Sequence, residues 1–167
     1  MKYLDSSLLV VLLFAVGCGG SSPSAPSTAT PPPASTPPTT SRNGTMSAIV
    51  DGTLWTAVSI QVEVGPAPLS LFSVSGRDAS KLGVGFGASA AGPGTYPMTS
   101  TSTANGGAMS GTQTWQTTVA GGSGTLVITT FSATSASGTF SFVAPAIAST
   151  GATASKTVTN GTFNVTF

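Results

Sequence analysis

Histidine is missing from this chain of 167 residues, and cysteine occurs once, at Cys18. Without imidazole, no Ser-His or Cys-His pair and no His-ligated metal site can be assembled. A single cysteine closes no disulfide within the chain, so the fold must rest on burial, which a domain of about 120 residues supplies without covalent staples. Charge is scarce too, with five Lys or Arg against four Asp or Glu. Beyond Cys18 the charged residues are Arg42, Arg77, Lys81 and Lys156 against Asp51, Glu63 and Asp78, and the basic ones are scattered singly. Nucleic acid binding needs clustered Lys and Arg to displace counterions, so that class of partner is excluded. A glycosidase needs two carboxylates flanking one bond. Here Asp51 reads as a turn residue, Glu63 as a solvated strand residue and Asp78 as part of a polar turn. The sequence therefore reads as non-enzymatic, with no cofactor and no metal ligand set.

Long apolar runs are also lacking. The one continuous stretch, Leu8 to Val16, follows Lys2 and ends at Gly17. A spanning helix needs roughly 20 apolar residues, so this run is too short to cross a bilayer and has the layout of a signal peptide instead. Ala15, Val16 and Gly17 supply small residues at the bond to be cut, and Cys18 follows directly. This resembles the bacterial lipobox, in which the Cys becomes the lipidated N-terminus. The resemblance implies residues 1–17 as a lipoprotein signal peptide, membrane attachment through lipid on Cys18, and, with Gly19 next, an outer-membrane destination facing the periplasm or the cell surface. Two or more acyl chains hold a protein stably where one does so only marginally.

From Gly19 to Thr45 almost no large apolar side chain occurs, and seven of the twelve prolines fall in this stretch. Such a composition cannot offset the entropy of ordering and is biased toward extended polyproline II. Residues 18–45 are thus expected to form a disordered tether.

At Met46 apolar and small polar residues begin to alternate, and residues 46–167 read as one all-β domain, an antiparallel sandwich or a barrel-like closure. Asp51-Gly52 between two apolar runs signals a tight hairpin, because both central positions want positive φ. In VSIQVEV, period two predicts Val58, Ile60, Val62 and Val64 inward and Ser59, Gln61 and Glu63 outward. In KLGVGFGAS the same period puts Leu82, Val84 and Phe86 inward and leaves Gly83, Gly85 and Gly87 as an outer face. A glycine face marks either close approach of another group or a bend in the strand. GTYPMT reads as a short edge strand because of Pro97. Residues 100–110 read as a polar, Gly-rich loop, the best candidate for a binding loop. GTQTWQTTV and GTLVITTF are expected to pair as a hairpin, and the closing strand, with Phe163, Val165 and Phe167 on one face, to dock centrally.

The opening Ala48-Ile-Val-Asp-Gly-Thr-Leu-Trp55-Thr-Ala57, the Gly94-Thr-Tyr96 strand, Ser137-Gly-Thr-Phe-Ser-Phe142 and the closing Asn160-Gly-Thr-Phe163, set behind the lipobox and tether, resemble uncharacterised bacterial lipoprotein families. That resemblance implies Trp55 as a core plug and Asp51-Gly52 as a turn, and implies no activity. Two function classes follow from the sequence. The first is a membrane-anchored structural or interaction module whose partner is an envelope protein. The second is a carbohydrate- or small-ligand-binding module in which Trp115 or Tyr96 serves as the stacking platform for a glycan.

Overall fold

A computed structural model of the chain describes residues 44–65, 71–89 and 92–167. The expectations for the signal peptide, for Ala15, Val16, Gly17 and Cys18, and for the tether up to residue 43 lie outside the described residues. The described chain is all-β, with strands β1 (Gly44–Val50), β2 (Thr53–Thr56), β3 (Ser59–Val64), β4 (Leu71–Arg77), β5 (Gly83–Ser89), β6 (Gly94–Pro97), β7 (Ala104–Ser110), β8 (Gln113–Gln116), β9 (Ser123–Phe131), β10 (Ser135–Ala144) and β11 (Lys156–Thr166). One 3-10 turn, Ala148–Thr150, interrupts them.

The strands form two antiparallel sheets. The first has six strands in the order β2-β1-β11-β10-β9-β6, and the second has five in the order β3-β4-β5-β7-β8. Their inner faces pack together as a sandwich, in which alternate residues point to the core. Ring contacts join the two layers: Phe86 on β5 lies 5.2 Å from Phe140 and 4.9 Å from Phe163, and Phe72 on β4 meets Phe131 edge-on at 5.2 Å. Trp55 is buried and its indole N–H donates to the carbonyl of Leu82 at 3.1 Å, so the ring plugs the core with its polar atom satisfied.

Local chemistry explains the connections. Asp51 and Gly52 have φ of 48° and 82°, as a type I′ hairpin between β1 and β2 requires. Asn160, at φ 51°, sits where the pairing of β11 shifts register against both β1 and β10, so Asn160-Gly161 is a bulge inside a long central strand. Strand β6 is the edge of its sheet and β11 lies between β1 and β10.

Three sequence expectations are corrected. Val58 and Val64 are exposed, at 71% and 44%, while Val62 is buried and Ile60 packs against the core. Strand β3 is an edge strand, and only its middle lies over the opposite sheet. Residues 104–110 are not a loop but strand β7, whose inward residues are small because large rings sit above them: a β-carbon at Gly106 would lie 2.6 Å from the ring of Phe142. Finally, the Trp115 strand does not pair with GTLVITTF. Strand β8 pairs with β7 in the five-stranded sheet and β9 with β10 and β6 in the other, and the chain crosses between layers at 117–122. There the buried Thr117 hydroxyl accepts the N–H of Gly106 at 2.9 Å and locks the crossing.

Candidate functional site

On its solvent side the five-stranded sheet carries three cross-strand rows. The middle row runs Gln61, Ser75, Gly85, Gly107, Gln116. On one side of it lie Glu63, Ser73, Gly87 and Asn105, and on the other Ser59, Arg77, Gly83, Met109 and Thr114. Because Val84, Phe86 and Ala88 of β5 point into the core, Gly83, Gly85 and Gly87 face outward by the two-residue period. The centre of the sheet thus has no side chains, and those of the flanking strands stand up around it. The result is an open trough of about 720 Å³ running along β5, within the range of roughly 300–1,000 Å³ typical of ligand clefts.

The glycines are not equivalent. A β-carbon at Gly107 would approach the carbonyl oxygen of Trp115 to 2.8 Å and one at Gly85 the Ser75 side chain to 2.9 Å, so packing between strands accounts for these two. At Gly83 and Gly87 the nearest atoms would be 3.6 and 3.7 Å away, ordinary contact distances. Nothing in the packing of the sheet requires those two to be glycine.

The trough is polar at its walls and carries opposite charges. Glu63 and Arg77 are exposed, and among the described residues neither takes part in an ion pair. Arg77 lies along Gly83, its Cγ 3.7 Å from where a β-carbon would be, and Nη2 donates to Met109 Sδ at 3.7 Å. The guanidinium therefore crosses the trough and closes one end. The ion pair among the described residues is elsewhere, at the end of the six-stranded sheet where the β1–β2 turn meets the start of β11. There Lys156 Nζ sits 2.6 Å from Asp51 Oδ2 and 5.2 Å over the Trp115 ring. Asp51 also accepts the Thr157 N–H at 2.9 Å. Burial works to raise the Asp51 pKa, but the hydrogen bonds from Lys156 and Thr157 and the Lys156 charge together hold it below the usual carboxylate value. These groups tie the first hairpin to β11, and the site is structural.

The two aromatic residues singled out by sequence are not platforms. Trp115 is 4% exposed and its indole N–H donates to the Thr153 carbonyl at 3.3 Å, because β8 turns its ring into the sandwich. Tyr96, on β6, packs against the core, and its hydroxyl donates to the Gly92 carbonyl at 2.7 Å. The outer glycine face of β5 was legible in the alternation of KLGVGFGAS. The rest of the trough was not, because β7, which supplies Asn105 and Met109, reads as a loop. Among the described residues no group of three or more Asp, Glu, His or Cys is placed to hold a metal ion, and no helix is long and apolar enough to cross a membrane.

No curated protein and no solved structure matches this chain. A family model, described as a domain of unknown function (DUF6252), matches residues 42–165, a span that takes in every strand from β1 to β11 up to its last residue. The sandwich and its trough are therefore the body of a DUF6252 domain, and the chain belongs to that family.

Proposed function

We propose that this protein is an outer-membrane lipoprotein that holds a non-catalytic interaction module at the cell envelope, and that the trough on the five-stranded sheet is its contact surface. The observation that carries the reading is the trough itself. Exposed carboxylate, guanidinium, amide and hydroxyl groups stand around a floor without side chains, and two floor glycines have no packing reason to be glycine. The likeness of residues 15–18 to a lipobox, with a Pro-rich stretch after it, supports the anchor. A carbohydrate reading finds little support, since Trp115 and Tyr96 are turned into the fold and glycan sites draw on stacked rings.

Two experiments test this. Replacing Cys18→Ser is expected to move the protein from the membrane fraction to the soluble extracytoplasmic fraction, and continued membrane retention overturns the anchor. For the trough, purified protein is sedimented with isolated, delipidated cell envelopes. Gly87→Val, whose β-carbon meets only ordinary contacts with the Ser73 and Asn105 side chains, is expected to abolish co-sedimentation while the protein keeps a cooperative melting transition. Equal sedimentation of the two proteins overturns the trough as the contact surface.

A further inference from the structure

We infer that the trough accepts a short extended peptide with free ends, its α-carboxylate at Arg77 and its α-ammonium at Glu63. The inference rests on the reading of the trough as the contact surface and gives that surface a ligand class. Its basis is charge complementarity. Glu63 stands opposite Ser73, and Ser73 and Arg77 lie four residues apart on the same strand. At about 3.3 Å per residue, the backbone positions of Glu63 and Arg77 are offset by about 13 Å along the trough. A fully extended chain spans at most about 3.3–3.6 Å per residue, so four residues bridge that distance from ammonium to carboxylate.

The ends differ in a way that suits this orientation. At one end Arg77 leans across the floor to Met109, so the guanidinium meets a ligand head-on, where its planar fork matches a terminal carboxylate. At the other end Glu63 is exposed on the edge strand β3, where an amine can reach it from solvent. Between them the side-chain amides of Gln61 and Gln116 line the walls, and that of Asn105 stands across the floor from Glu63. Amides both donate and accept, as the N–H and C=O groups of an extended peptide require. A neutral sugar chain would gain from the amides but has no use for two opposite charges at a fixed spacing.

The full chain, purified in detergent, is titrated with tetra-alanine by calorimetry. Tetra-alanine with free ends is expected to saturate the protein, and dialanine to bind more weakly because it cannot span both charges. Amidating the C-terminus or acetylating the N-terminus is each expected to weaken binding about tenfold, the scale of one charge-assisted hydrogen bond. The decisive readout is the pairing of cap with variant. In Arg77→Gln the amide cap should cost nothing further while the acetyl cap still weakens binding, and in Glu63→Gln the reverse should hold. Both residues are exposed, so neither change is expected to alter the melting temperature. Equal binding of capped and free peptides overturns the inference, as does an Arg77→Gln variant that responds to both caps like the parent. If tetra-alanine fails in every form while Gly87→Val still abolishes envelope sedimentation, the peptide assignment falls and the trough reading stands. If tetra-alanine fails in every form and Gly87→Val changes nothing, both fall.

Discussion

At the scale of single residues, two positions carry roles that their chemical type does not announce. Asp51 adopts positive φ in the hairpin, and its carboxylate also receives Lys156 and the Thr157 N–H. Its folded pKa is depressed, so its contribution is present above the unfolded carboxylate value near 3.8 and is lost as pH falls through the lower folded value. Asp51→Asn keeps a turn-forming residue and removes the charge. Because the carboxylate is partly exposed, urea unfolding at neutral pH should show a loss of only about 0.5 kcal/mol, with parent and variant converging in strong acid. Trp115 is the second position. In sequence it alternates with polar neighbours and looks available. In the fold its ring lies in the sandwich, so Trp115→Ala should cost about 3–5 kcal/mol in denaturant unfolding. An unchanged midpoint would contradict its placement.

At the scale of elements, glycine divides into cases with opposite consequences. In β10, a β-carbon at Gly138 would stand 2.0 Å from the Val127 carbonyl oxygen and 2.8 Å from the Phe163 ring. Gly138→Ala should therefore destabilise by about 1–3 kcal/mol or prevent folding, as judged by chemical denaturation. In β5, a β-carbon at Gly87 meets only ordinary contacts, and an alanine there should stabilise by about 0.5 kcal/mol, since glycine within a strand is entropically unfavourable. The contrast between these two variants separates glycines required by packing from glycines that keep the trough clear. The same property explains why β7 was illegible. Its inward set is Ala104, Gly106 and Ala108, all small, so the alternation that identifies a strand by hydrophobicity is nearly flat. Strand β11 was legible because Val158, Phe163 and Val165 alternate with Thr and Asn on either side of its bulge.

At the scale of the whole molecule, one uninterrupted core joins the two sheets without a disulfide among the described residues, and one edge of the five-stranded sheet is covered. Beside β8, Gln116 N–H bonds the Pro145 carbonyl at 3.1 Å and Ile147 N–H the Thr114 carbonyl at 2.9 Å, so a passing segment covers that edge of the five-stranded sheet. The sequence by itself determined the all-β class, the turn at Asp51-Gly52 and the central position of β11, while the burial of Trp55 was implied by the family resemblance alone. The first three depend on local alternation or on backbone preference, which neighbouring residues encode directly. Only the tertiary structure decided that β8 and β9 belong to different sheets, that Trp115 and Tyr96 turn inward, and that Glu63, Arg77 and Asn105 surround one trough. Those facts depend on which strands lie side by side across long separations in the chain. A strand of period two states which residues share a face, but not which other strands share the sheet.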